Sequence, residues 1–230
     1  MKLFEFGKIY WKDAAKQGRD KYEEEERLAL YLSGDFETEN WQHKSRSITY
    51  FDLAQYVSQV LQKSSVENIK QEPLLDPLFE FGVKIIKGTK EIGKLGKVKT
   101  ALLKEFGIKQ EIFYADLSTA LLFRNANPKL VVQVVSKFPE VRRDLSLVLD
   151  TQVTFAEMRE LVLATEKRLI KDIIAFDVYE GDKIPKGKKA YALGFTLLDE
   201  NKTLTDEEIE KTMTKLMKAF EEKMGAVIRK

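Results

Sequence analysis

The 230-residue sequence predicts an α+β chain in two parts, and three observations carry that prediction. From about residue 138 onward, short alternating stretches and helical stretches follow one another as strand, helix, strand, strand, helix, strand. Both helical stretches there open on Thr-x-x-Glu, a spacing that lets the Thr and Glu side chains satisfy the first free N–H groups of a helix. The preceding half mixes strand-like runs with one clear amphipathic helix and shows no repeated unit, so it is α+β as well.

In the first half, LFEFGKIYW reads as a strand, and a charged segment follows from Lys12 to Glu26. RLALYLSG is a second strand. In YFDLAQYVSQVLQK, Leu53, Tyr56, Val57, Val60 and Leu61 recur at helical spacing and predict an amphipathic helix. FGVKIIKGTKEIGKLGKV reads as a hairpin turning at Gly-Thr-Lys-Glu, residues 88–91. A helix over about 100–106 stops at Gly107, and FYADLSTALL closes the half. Pro128 and Pro139 mark the ends of a linker-like run, which sets the expected domains at 1–124 and 138–230 with a linker over 125–137.

In the second half, LSLVL alternates as a strand. Thr154 and Glu157 then cap a helix whose apolar face holds Met158, Leu161 and Val162. DIIAFDVYEG and KAYALGFTLLD are the next two strands, joined by the loop GDKIPKGKK. Thr205 and Glu208 cap a longer helix striped by Ile209, Met213, Leu216, Met217, Phe220 and Met224. Gly225 ends that helix, and AVIR is a short last strand. The β-α-β-β-α-β order is the ferredoxin-like pattern, with a four-stranded antiparallel sheet and both helices on one face. Tyr191, Leu193, Phe195 and Leu197 share the parity expected on the covered face. Ala190, Ala192, Gly194 and Thr196 share the other, where small side chains let a flat or bulky group approach. Tyr179 and Phe176 differ in parity, so one of them at most is expected on the open face.

Composition narrows the function classes. With no cysteine, disulfides, thiolate catalysis and cysteine-ligated metals are excluded, and a reducing, cytoplasmic setting is expected. No run reaches the roughly 18–20 apolar residues of a membrane span, and MKLFEFGKIYWKD is too soon charged for a signal peptide. The formal charge is +2, and residues 136–230 balance 18 basic with 18 acidic residues. Binding to a polyanion would therefore rest on local groups.

Catalytic, cofactor-binding and metal-binding residues are not expected. The single histidine, His43, stands in a polar loop without a ligand set around it. GKLGK lacks the spacing and terminal Ser or Thr of a phosphate-binding loop. Asp206, Glu207 and Glu208 suit the first turn of a helix. Two basic features remain. Lys183, Lys186, Lys188 and Lys189 cluster between the second and third strands, where lysines hold phosphates without fixed geometry. Arg142 and Arg143 precede Asp144 at a strand start, and alternation sends them to opposite faces. One is expected to tie down the chain and the other to point toward a partner; the sequence leaves open which does which.

FPEVRRDLSLVLD, FDVYEGDKIPKGKKAYALGFTL, the TLTDEE run and the terminal GAVIR, in that order, resemble the C-terminal anticodon-binding domain of bacterial phenylalanyl-tRNA synthetase beta subunits. LFEFGKIY, RLALYLSG, YFDLAQYVSQVL, EIGKLGKV and ADLSTALL resemble the end of the catalytic-like domain just upstream in that family. Gly-Lys-Val-Lys at 96–99 departs from the family's usual acidic residue, His and Pro. The resemblance implies a partial catalytic-like α+β domain followed by the ferredoxin-like one. It also implies a piece excised from a longer subunit, with LFEFGKIY as one strand of a larger sheet.

Members of the family form an (αβ)2 heterotetramer that joins phenylalanine to tRNA(Phe) using ATP and magnesium. The chemistry resides in the alpha subunit, so this piece alone is expected to be inactive and to hold neither ATP nor magnesium. The implied partners are tRNA(Phe) and the alpha subunit, with no role for DNA or a membrane. The RNA contacts expected are Arg142 or Arg143, Tyr179 as a stacking ring, and Lys183, Lys186, Lys188 and Lys189 on phosphates. Two alternatives stay open: a regulatory domain binding an amino acid, and a purely structural docking domain. The Asp-Thr-Gln-Val-Thr turn after the first strand argues against the first, because such modules use glycine-rich turns there.

Overall fold

A computed structural model of the chain describes all residues except 127–134, 183 and 230. The chain divides into two compact units, Met1–Val131 and Val132–Lys230.

The first unit holds β1 (Lys2–Lys12), β2 (Tyr22–Ser33), α1 (Tyr50–Lys63), β3 (Ile69–Pro73), β4 (Phe79–Lys87), β5 (Lys90–Val98), α2 (Thr100–Glu105), β6 (Ile112–Ser118) and α3 (Thr119–Asn125). Its sheet is antiparallel throughout, in the order β1-β2-β6-β5-β4-β3. α1 buries Leu53, Val57 and Leu61 against Leu28 and Leu32 of β2, Leu95 of β5, and Phe113, Ala115 and Leu117 of β6. Asp52 sets the start of α1: it accepts from the Thr49 N–H at 2.7 Å and from both Arg46 Nη atoms at 2.6 and 2.8 Å.

Two parts of this unit differ from the sequence expectation. β2 starts at Tyr22, so Glu23 through Glu26, expected in the charged segment before the strand, are strand residues. Pairing with β1 makes that possible, because Lys8 of β1 binds Glu24 at 2.8 Å; Lys16, beyond the end of β1, binds Glu23. β3 was not expected at all; its five residues form an exposed edge, too short and polar to show a periodicity.

The second unit runs β7 (Val141–Asp150), α4 (Phe155–Thr165), β8 (Ile170–Tyr179), β9 (Lys188–Leu197), α5 (Asp206–Met224) and β10 (Val227–Arg229). The sheet order is β10-β7-β9-β8, antiparallel at every pairing, which is the predicted ferredoxin-like arrangement. Both predicted capping boxes form, Thr154 with Glu157 and Thr205 with Glu208. Gly225 ends α5 at φ 61°, a left-handed conformation that glycine adopts without steric cost. Leu193, Phe195 and Leu197 of β9 are wholly buried with Met158 and Val162 of α4 and Leu216 and Phe220 of α5. Each such side chain contributes about 1.5–3 kcal/mol by leaving water, so the helix-covered face holds this unit together. The opposite face is left for other work.

Candidate nucleic-acid interface

Strand register decides which side chains stand on that opposite face. Arg142, Asp144, Ser146 and Val148 of β7 lie across from Thr196, Gly194, Ala192 and Ala190 of β9. Val227 and Arg229 of β10 lie across from Val148 and Ser146. β8 adds Tyr179, opposite Ala190, and Asp177, opposite Ala192. These residues enclose a depression of about 310 Å³ lined by Ser146, Asp177, Tyr179, Ala190, Ala192 and Arg229. The two alanines form a floor low enough for a ring to approach. Asp177 and Arg229 place an acceptor and donors at its rim.

Tyr179 is 43% exposed. Its ring folds over Gly181, where a Cβ would come within 2.5 Å of the Tyr179 hydroxyl oxygen, so the glycine is what lets the ring lie there. Phe176 and Tyr179 both stand on this face, where parity allowed one of them at most. Pairing of β8 with β9 shifts register between Ala175 and Asp177, and the extra residue turns Phe176 outward as well. Phe176 is 49% exposed, and the Arg142 guanidinium sits 5.4 Å from the centre of its ring.

The two arginines part as alternation requires. Arg142 lies on the open face, its Nε donating to Asp144 Oδ1 at 3.0 Å. Arg143 lies on the helix side. It donates to the Arg142 carbonyl at 3.0 Å and stands 3.8 Å from Asp206 in the first turn of α5.

The described lysines do not form one cluster. Lys188 and Lys189, expected in the loop, open β9 and face opposite ways. Lys188 pairs with Asp150 at 2.9 Å, and Lys189 stands 5.1 Å from the ring centre of Tyr191 on the helix-covered side. Continuing β9 back to Lys188 pairs it with Asp150 at the far end of β7, which is why the strand starts earlier than the charge pattern suggested. Lys186 remains exposed in the loop, and Lys183 lies outside the described residues.

Reading the sequence alone missed Arg229, Asp177 and Ser146. Arg229 was legible in principle: AVIR alternates, so an inward Ile228 implies an outward Arg229, and Ile228 does pack on the core. Two described cations on the open face are paired with neighbouring carboxylates, Arg142 with Asp144 and Lys188 with Asp150. Such a surface is suited to stacking and base-edge hydrogen bonds more than to long-range attraction.

Outside this face, His43 meets Glu37 at 2.8 Å and Asn40 at 3.2 Å on the surface. Among the described residues no group of three or more His, Cys, Asp or Glu side chains converges as a metal site would require. Nor is any described helix long and apolar enough to cross a membrane.

Comparison with known proteins follows the same division. Residues 1–119 match the family model described as the phenylalanyl tRNA synthetase beta chain CLM domain, and residues 136–229 match the ferredoxin-fold anticodon binding domain. Similar curated proteins are phenylalanine–tRNA ligase beta subunits. That of Bacteroides thetaiotaomicron is 38% identical across the whole of this chain and 29% of its own length. That of Bacteroides fragilis is 36% identical over the same shares, and that of Porphyromonas gingivalis 37% identical over 99% of this chain and 29% of its own length. The chain thus spans about three tenths of the length of these relatives. With both units accounted for, one model covering more than half of the residues, the chain belongs to the phenylalanyl-tRNA synthetase beta chain family.

Proposed function

We propose that this chain is the tRNA-binding C-terminal part of a phenylalanine–tRNA ligase beta subunit, reading the anticodon region so that the distant acceptor end is placed for aminoacylation. The observation that carries the reading is the depression on the open face, with Tyr179 as its wall and Ala190 and Ala192 as its floor. A base extruded from a single-stranded loop stacks on the Tyr179 ring, and its edge reaches Asp177, Ser146 or Arg229. Lys186, exposed beside the depression's loop, takes a phosphate and sets register without reading sequence.

In this reading the chain performs no bond-making. Phenylalanine, ATP and magnesium are handled by an alpha subunit in an (αβ)2 assembly, and the beta subunit contributes by positioning the tRNA. The cytoplasm is the compartment where such an assembly works.

Fluorescence anisotropy with a labelled tRNA(Phe) transcript tests the proposal. Tyr179→Ala should weaken binding by about 1–3 kcal/mol, the usual value of one base–aromatic stack. Lys186→Ala should lower the slope of log affinity against log salt by about 0.7–0.9 if it neutralises one phosphate. Binding by both variants that matches the unaltered chain at every salt concentration would remove the open face from RNA recognition.

A further inference from the structure

We propose that Arg142 is a second base-stacking platform on the open face, its guanidinium presented as a flat ring-like surface and not as a phosphate anchor. The inference rests on the RNA-binding reading above and names one further position of that site.

The geometry holds the guanidinium down. A Cβ at Gly194 would stand 3.2 Å from Arg142 Nη2, 3.2 Å from Asp144 Oδ1 and 3.2 Å from the Ile174 side chain. The absent side chain therefore leaves a slot that the arginine head fills, against the backbone of β9. Asp144 pins Nε at 3.0 Å from one side, and the Phe176 ring, 5.4 Å away, borders it on another. A surface arginine ordinarily samples many rotamers and loses that freedom on binding. Here the carboxylate, the aromatic ring and the glycine slot have already restricted it, which reduces the entropy cost of stacking.

Despite this packing the side chain is 56% exposed, so it remains accessible to a partner. An arginine plane is a recognised stacking surface for unpaired bases. The charge argues in the same direction. With Asp144 at hydrogen-bond distance the pair is close to neutral, which weakens its pull on a phosphate but leaves the planar face intact. Tyr179, on β8, lies opposite Ala190, four residues along β9 from the Gly194 slot and on the same face, so the two surfaces can receive different bases of one loop.

The test uses the full chain and a short RNA hairpin with the tRNA(Phe) anticodon loop, alongside copies in which each loop nucleotide in turn is abasic. Arg142→Ala and Arg142→Lys should both weaken binding to the intact hairpin by about tenfold, within the range of one stacked base. Arg142→Lys should leave the salt slope unchanged, since lysine keeps the charge and loses the plane. With one abasic position, the loss caused by Arg142→Ala should vanish, because the base that stacks there is already gone. If Arg142→Lys binds like the unaltered chain, or the Arg142→Ala loss persists at every abasic position, Arg142 is not a platform. Tyr179→Ala separates the two levels. Weak binding by Tyr179→Ala alongside unchanged Arg142 variants overturns this inference only, whereas unchanged binding by all of them overturns the RNA-binding reading too.

Discussion

Gly96 in β5 and Gly194 in β9 hold comparable positions in the two sheets, each in an interior strand on the side facing away from a buried helix packing. Gly96 lies opposite Tyr114, whose neighbours Phe113 and Ala115 face α1. A Cβ there would come within 2.4 Å of the Phe81 carbonyl oxygen and 2.8 Å of the Phe79 ring. The missing side chain lets Phe79 close over the sheet and stack on Tyr114, which in turn packs on Tyr31. Burial there, with Asp116 nearby, pushes the Tyr114 hydroxyl well above its ordinary pKa. Gly194 instead admits the head of Arg142, and that face stays open to water. The same absence of a side chain has thus let an aromatic ring bury itself on one sheet surface and left a charged group exposed on the other. What decides is whether the neighbour filling the slot is an aromatic ring or a charged group that must remain hydrated.

The largest expected effect checks that the helix-covered faces are alike. Phe195→Ala in the second unit should destabilise by about 3–5 kcal/mol and Leu53→Ala in the first by about 2–5 kcal/mol, read from urea midpoints. A loss below 1 kcal/mol at either would mean that one face is not a packed core. Next comes the contrast itself. Gly96→Ala forces backbone apart and should cost about 1–3 kcal/mol. A neutral result would show that the Phe79 side of the first sheet is looser than its distances imply.

The α5 cap supplies a smaller, pH-dependent effect. Its bond to Lys202, with the Thr205 N–H and hydroxyl adding to it, lowers the Glu208 pKa from 4.5 to about 2. The folded value lies below the unfolded one, so this contribution is complete above pH 4.5 and is lost as pH falls toward 2. Thr205→Ala should cost about 1 kcal/mol at neutral pH, and Lys202→Ala, which removes the largest cause of the low Glu208 pKa, should shrink the acid-side loss of stability measured from pH 5 downward. An unchanged acid limb would assign that loss to other carboxylates. Smallest of all in stability is Gly194→Ala, expected within about 0.5 kcal/mol because the groups that must give way are side chains of Arg142, Asp144 and Ile174 at 3.2 Å and not backbone. RNA affinity should nevertheless fall, and the comparison of the two glycines fails if Gly194→Ala unfolds the chain as readily as Gly96→Ala.

Much of the second unit was legible because its signals are local. A capping box spans four residues, and alternation needs only one strand. The inward set Tyr191, Leu193, Phe195 and Leu197 therefore came out as read, as did the stripe from Ile209 to Met224. Legibility failed wherever a partner strand had a say. The bulge that turns Phe176 outward exists only in the pairing of β8 with β9. Lys188 and Lys189 became strand residues because β7 extends far enough to pair with them. In the first unit, four consecutive glutamates read only as the end of a charged segment until β1 supplied the register that seats them in β2.

By itself the amino-acid order determined the succession of elements, their ends at Thr154, Thr205 and Gly225, and which residues of each strand are apolar enough to turn inward. Those follow from propensity, capping and period, which act over a few neighbours along the chain. Only the tertiary structure decided that Tyr179, Asp177, Ser146 and Arg229 share one depression, and that Arg142 rather than Arg143 stands on the open face. Such groupings depend on register between strands distant in sequence, and one inserted residue at a bulge is enough to change which side chains meet.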